Sequence, residues 1–319
     1  SLNAFSKLLL DYLAEKPALK EFYGNGPQIS KFKEQISEKK GFPSPSRAIL
    51  QTVLEEQYAA IGAEMPSVDL RDENTFTVTT GHQLNIYTGP LYVIYKLVST
   101  INLARALQKA YPAQRFVPVY WMATEDHDFE EINHFFAFGT KYEWTTSQKG
   151  AVGRFNLSDF PRIPLRNAIF DKAYSEGKTL SEAVRIYMHA LLGAEGLVCL
   201  DADDARLKSL FAPIMEADLN QQVHEPIVRA TTEKLEALGY KTQVAAREVN
   251  LFRLTENDRI RLEKGDQVEM ANASPNVILR PLYQEVILPN LAYIGGPAEV
   301  AYWLQLKGIF DLHQIPFPI

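Results

Sequence analysis

The chain has 319 residues, 46% of them hydrophobic and 23% charged, enough to bury a sizeable core without disulfides or structural metal. Thirty-three Lys and Arg against 39 Asp and Glu leave a net charge of −6, whereas a general nucleic-acid binder more often carries a basic excess to offset phosphate repulsion. The single cysteine, Cys199, excludes an intrachain disulfide and any C-x-x-C pair, and no apolar run approaches the roughly 20 residues of a membrane span. The expectation is a soluble cytoplasmic protein with neither nucleic-acid nor membrane partners. The start at Ser1 reads as a processed or shortened chain.

Residues 1–65 read as helical, with Leu8, Leu9, Tyr12 and Leu13 and then Ile49, Val53, Leu54, Tyr58 and Ile61 at helical spacing. GFPSPS at 41–46 is a break that ends in Ser46 as an N-cap. Phe76–Thr80 is the first strand, and the run Leu91–Ala110 after the GP dipeptide is a helix. Phe116–Met122 is apolar throughout and reads as a strand covered on both faces. The aromatic–polar stretch 135–165 reads as antiparallel strands of an insertion, with FFAFGTKYEW as its core. Thr179–Leu192 is an amphipathic helix and Gly196–Leu200 a short buried strand that carries Cys199 as a core residue. The chain is helical again over 203–238, capped by Asp201 or Asp203, and 242–263 is a small β excursion with RLTENDRIRLEKG as a hairpin. NVILRP at 276–281 reads as a strand, 297–310 as one helix, and IPFPI as the opening of a further strand. Alternating strands and helices point to a mainly parallel sheet with helices on both faces, whose ligands sit beyond the strands' carboxyl ends.

Three segments stand at such ends. TTGHQLNIYTGP runs from Thr80 and Gly81 through His82, Gln83 and Tyr87 to Thr88 and Gly89, with Lys96 one to two turns into the following helix. It is either an anion site at a helix start or a plain strand–loop–helix corner, and it matches no standard phosphate fingerprint. TEDHDFEEINH packs Glu125, Asp126, His127, Asp128, Glu130, Glu131 and His134 into ten positions; if helical from Asp128, Glu130 and His134 share a face. Such a run can orient an amine, act as general base or bind a metal, or simply complement a helix dipole. The catalytic candidates are His82, Asp126, His127 and Asp128. The third segment places Arg280 at a strand end, Gln284 and Glu285 in the next loop, and Gly295, Gly296 and Glu299 at a helix start. There Gln284 could read sugar hydroxyls, or the glycines could serve close packing alone.

TTGHQLNIYTGPLYVIYK, VPVYWMATEDHDFEEINHF, GAVGRF, GLVCLDADD and NVILRPLYQEVILPNLAYIGGPAEVAYW together resemble the bacillithiol-biosynthesis cysteine-adding enzyme family, from about residue 3 to the last. The resemblance implies an α/β, Rossmann-like, doubly wound core akin to nucleotidylyltransferases and class I aminoacyl-tRNA synthetases. Its parts would be a helical segment at 1–70, core halves at 71–134 and 276–319, and core helices and a strand at 179–240. Connective insertions would occupy 135–178 and 241–275. It implies the addition of L-cysteine to glucosaminyl-malate as an amide, with ATP as activator and magnesium only as the nucleotide's companion. The turn at Thr80–Gln83 and the Tyr87–Gly89 helix start would hold the triphosphate, with Lys96 or His82 stabilising developing charge. Asp126 or Asp128 would hold an ammonium or take a proton, and Arg280 would clamp the malate carboxylates. The family pattern continues into a dimerising coiled coil beyond IPFPI, so a homodimer is expected of the full-length protein, and its loop near 263–274 is longer than here. The competing expectations are a metal-dependent hydrolase or transferase using His127, Asp128, Glu131 and His134, and a non-catalytic nucleotide or sugar-acid binding module.

Overall fold

The computed structural model describes residues 5–319. Three helices come first: α1 (Lys7–Leu13), α2 (Phe32–Lys39) and α3 (Ser44–Ala60). They bury Leu8, Leu9, Tyr12, Val53, Leu54 and Tyr58 of the sequence pattern and also Leu50, whereas Leu13 is exposed and Ile49 and Ile61 are half-buried. Helix α3 begins two residues before the expected cap, because Pro45 suits a first helical turn; Ser46 lies inside the helix and is buried.

The remaining elements are β1 (Thr75–His82), α4 (Leu91–Ala110), β2 (Arg115–Met122), β3 (His134–Ala137), β4 (Thr140–Glu143), α5 (Ala168–Glu176), α6 (Leu180–Leu192) and β5 (Val198–Asp201). After them come α7 (Ala205–Gln221), α8 (His224–Ala237), β6 (Leu251–Leu254), β7 (Arg259–Arg261), β8 (Ala273–Pro275), α9 (Arg280–Ile287), β9 (Asn290–Tyr293), α10 (Pro297–Trp303) and α11 (Lys307–Leu312). A four-stranded parallel sheet in the order β5-β2-β1-β9 forms the centre. Strands are added on one side of β1 and then, with β9, on the other. The reversal therefore falls between β1 and β9, and their carboxyl ends frame the crevice where such sheets take ligands.

Strand β2 shows why its sequence reads as apolar throughout. Val117, Val119 and Trp121 join one hydrophobic cluster with residues of α3, α7 and α9, whereas Tyr120 and Met122 join a second with α6 and the insertion. Of the insertion, only the β3–β4 hairpin is strand; 144–165 is loop and short 3-10 turns around Trp144, Phe155 and Phe160. Phe135 and Trp144 pack as insertion core, but Phe136 and Phe138 are 70% and 96% exposed.

Further corrections concern caps and ends. Asp204, not Asp201 or Asp203, caps α7, its side chain accepting from the Arg206 N–H. NVILRP is not a strand: the Asn276 side chain accepts from the Ile278 and Leu279 N–H groups, and Pro281 suits the first turn of α9. Strand β9, NLAY, is too short to carry a period and is absent from the sequence reading. The run 297–310 is broken at 304–306 into α10 and α11. IPFPI is not assigned as strand, yet Ile319 exchanges hydrogen bonds with Leu291 (3.0 Å) and Tyr293 (2.8 Å) along β9. Among the described residues, no helix is long and apolar enough to cross a membrane.

Candidate active site

At the β1/β9 end, buried Lys96 reaches from α4 to the Gly81 carbonyl (2.6 Å) and to Glu299 Oε2 (2.6 Å). Glu299 also accepts from the Tyr293 hydroxyl (2.7 Å) and the Gly296 N–H (2.7 Å), and the Gly81 N–H donates to Tyr293 (3.3 Å). Burial lowers the Lys96 pKa against the pull of Glu299. Burial pushes the Glu299 carboxyl up, but Lys96, the Gly296 N–H and Tyr293 outweigh it and hold it below its ordinary value. The two form a closed ion pair. His82, at the end of β1, is held neutral: burial and then Lys96 lower its pKa.

Towards β2, a cavity of about 370 Å³ opens between the strand end Trp121–Asp126, the start of α9 and the small β insertion. Arg280, Arg259 and Arg247 line it together with Glu125, Asp126 and Phe252. Arg280 lies against Trp121, Tyr293 and Trp303 at 5.3–5.9 Å from their ring centres, donates through Nη1 to Gln284 (3.1 Å), and leaves buried Nη2 without a protein partner. Arg259 stacks on Phe252 (4.3 Å), donates to Ser274 and the Pro275 carbonyl, and lies 3.5 Å from Asp126, with its Nε unpartnered. Asp126 accepts from Gln83 (2.6 Å) and the His127 N–H (2.7 Å). Burial raises its pKa, but Arg259 and these donors outweigh that, so it stays ionised below its usual range. Behind it, Lys208 pairs with Glu125 (2.8 Å) and Asp203 (2.7 Å), and Asp203 receives Arg154 in a two-bond fork. Burial works against the Lys208 charge, but Glu125 and Asp203 hold its pKa above the usual value.

The structure thus gathers Gly81, Lys96, Arg280 and Glu299 at one end of the crevice and Gln83, Glu125 and Asp126 at the other. Of the rest of the sequence-derived set, His127 lies 3.3 Å from Asp126 and Glu131 accepts from Gln83 (3.2 Å), both from exposed positions, and the others serve elsewhere. The Thr80 hydroxyl donates to the Ile294 carbonyl (2.7 Å), and Gly295 and Gly296 pack against Glu299. Tyr87 stacks on Phe135 and Phe170 within the insertion core. Tyr87, Thr88 and Gly89 follow one another at φ 52°, 67° and 61°, a strained corner that leaves a Cβ at position 89 no room beside Asn85. Residues 123–133 are not helical, so Glu130 and His134 share no helix face; His127, Asp128, Glu130 and Glu131 are exposed, and His134 opens β3 beside Asn133. Among the described residues, no three His, Cys, Asp or Glu side chains converge as a metal set. Gln284 and Glu285 are buried on α9 rather than in a loop, because the strand expected before them is a capped turn. Asp201 is spent on the Thr124 hydroxyl (2.5 Å) and the Asp203 N–H (3.0 Å), and the Cys199 thiol is pushed up to about 12 by burial.

Sequence reasoning missed Arg259, Lys208, Asp203 and Arg154. The hairpin carrying Arg259 was legible, but it holds Arg253, Arg259 and Arg261, and no spacing says which one faces the sheet.

The comparisons with known proteins bear on this arrangement. The family described as "Bacillithiol biosynthesis BshC, N-terminal Rossmann-like domain" matches residues 1–273 and 267–319. The chain belongs to the BshC family. Relatives named "Putative cysteine ligase BshC" from Flavobacterium psychrophilum, Flavobacterium johnsoniae and Christiangramia forsetii are 46%, 43% and 41% identical to it, each over 99% of this chain and 67% of the relative. The fold is the Rossmann-like α/β core expected, and the chain is related to ligases of bacillithiol biosynthesis. It spans about two thirds of the length of these relatives. The two matched stretches of the BshC model meet at 267–273, where a longer loop was expected from the family pattern.

Proposed function

We propose that this BshC chain binds glucosaminyl-malate in the cavity beyond β2 and joins its amine to the carboxyl of L-cysteine. The supporting observation is that Arg280 and Arg259, each with one buried nitrogen left without a protein partner, line one cavity of about 370 Å³ together with the ionised Asp126. That volume suits a small ligand. A molecule with two carboxylates and an amine offers the complementary charges: the arginines take the malate end and Asp126 holds the ammonium of a substrate. With its low pKa, Asp126 is a better anchor than base. The proton that the sugar nitrogen loses as the amide forms needs a base, and His82 at the end of β1, whose pKa burial and Lys96 lower, is the imidazole proposed for it, although its ring stands outside the cavity lining.

Amide formation requires an activated carboxyl, and family resemblance suggests ATP as the source of activation. The groups expected to cradle its triphosphate are engaged with one another: Thr80 with Ile294, Lys96 with Gly81 and Glu299, Tyr87 within the insertion. They do not fit as a ready cradle for a triphosphate. The proposal is tested by calorimetric titration of the chain with glucosaminyl-malate. Binding that is lost in Arg280→Met supports it, and equal binding by that variant contradicts it.

A further inference from the structure

The arginine expected to meet the malate carboxylates is attached to a buried polar chain that reaches the opposite side of the sheet edge. Arg280 Nη1 donates to Gln284 Oε1 (3.1 Å), and Gln284 Nε2 donates to Glu285 Oε1 (3.0 Å). Glu285 Oε1 also accepts from Asn290 Nδ2 (2.6 Å), and Oε2 pairs with Lys39 of α2 (2.8 Å). Gln284 and Asn290 are 0% exposed, Glu285 1% and Lys39 3%. Asn290 Oδ1 in turn accepts from the hydroxyls of Thr77 (3.1 Å) and Thr79 (2.8 Å) on β1.

The direction of this chain follows from chemistry alone. An ionised carboxylate only accepts, so the amides of Gln284 and Asn290 must turn their NH₂ groups to Glu285 and their oxygens away. The Gln284 oxygen therefore faces Arg280, which only donates. Were Glu285 absent, the Gln284 Nε2 would lose its acceptor, and the oxygen that holds Arg280 Nη1 would sit on a side chain anchored at one end only. Lys39 supplies the charge that lets a carboxylate stand in this buried place; without it the ion would carry the full cost of desolvation. The outcome is a guanidinium at the cavity wall, held edge-on at Nη1 and flanked by three aromatic rings, with a buried Nη2 that has no protein partner.

We propose that Lys39, Glu285 and Gln284 are positioning residues for substrate recognition: a directional relay that fixes the orientation of Arg280 towards an anionic ligand. They touch no substrate themselves, and the inference rests on the reading of the cavity as the malate site. A buried ion pair placed only for packing between α2 and α9 would not need the amide between it and the arginine.

The test uses Gln284→Met, which keeps the shape and removes both hydrogen bonds, titrated with glucosaminyl-malate and with its dimethyl ester, which has the same skeleton without the two charges. The relay predicts a roughly tenfold loss of affinity for the dicarboxylate and little change for the ester, so that the preference for charge collapses. Equal weakening of both ligands assigns Gln284 a merely structural role and overturns the proposal. Parental binding of the dicarboxylate by Gln284→Met, with binding lost in Arg280→Met, overturns the relay but leaves the pocket. Parental binding by both variants overturns the pocket itself. Should Gln284→Met not fold, Glu285→Gln, which can keep an acceptor for Lys39 but then turns an NH₂ towards Gln284 Nε2 and so removes that amide's anchor, is judged by the same ratio of affinities.

Discussion

Arg259 and Asp126 lie 3.5 Å apart on the wall of one cavity, one on a hairpin of the small β insertion and one just past β2. Each tunes the other: the guanidinium helps keep the carboxylate ionised, and the carboxylate supports an arginine whose pKa burial lowers. Replacing Asp126 by Asn removes that support and the anchor for an ammonium. We expect affinity for glucosaminyl-malate to fall by about tenfold or more, the scale of one charge-assisted hydrogen bond at ~1.5–3 kcal/mol, while Asp128→Asn, on an exposed residue, changes nothing measurable by calorimetry. Asp126 was legible in sequence because it follows a buried strand within a dense run of acids. Its neighbours in that run diverge once the segment proves to be a turn rather than a helix. Lys208 was not legible: it reads as an ordinary lysine in a helix's first turn, and only the fold shows it inserted between Glu125 and Asp203.

Among the elements, the long ones behaved as their patterns said. Leu91–Ala110 is helical over the expected residues, and β2 shows the two-sided burial its unbroken apolar run implied. The errors fall on short elements governed by one or two capping contacts. Asn276 decides that 276–281 is a turn leading into a helix, by accepting from two backbone N–H groups and donating to Asn250 (3.1 Å). Asn276→Ala should therefore destabilise the protein by about 1–2 kcal/mol in urea unfolding, the usual range for a lost cap, and also weaken glucosaminyl-malate binding because α9 carries Arg280. An unchanged midpoint would show that Pro281 alone starts the helix. At the strained corner before α4, Gly89→Ala must both adopt a positive φ and displace Asn85. We expect a loss of thermal stability of at least ~1 kcal/mol, and a neutral outcome would contradict the corner's geometry.

For the molecule as a whole, three histidines have pKa values depressed chiefly by burial: His82, His189 and His313, the last lowered to about 4 by burial and then by His224, 2.8 Å away. A histidine whose folded pKa lies below its unfolded value near 6.5 binds fewer protons when folded. Its contribution is intact above pH 6.5 and is lost as the pH falls towards 4. Stability measured by urea unfolding should decline across that window, and His313→Asn should flatten the decline by about 1 kcal/mol, a figure discounted for the half-exposed ring. The parallel core was legible from alternating strands and helices, but the order β5-β2-β1-β9 was not, because β9 is only four residues long. Without β9 the partners of Arg280 and Glu299 have no fixed place, which is why the sequence reading set Gln284 on the substrate rather than behind the arginine.

The central claim is that the cavity beyond β2 is an anion-and-amine pocket built on Arg280, Arg259 and Asp126. Calorimetric titration of the chain with glucosaminyl-malate tests it most directly, run in parallel on the parent, Arg280→Met and Arg259→Met. The account predicts saturable one-to-one binding by the parent, weakened by about ten- to hundredfold in each variant. Absence of binding by the parent, or equal binding by all three proteins, would contradict it.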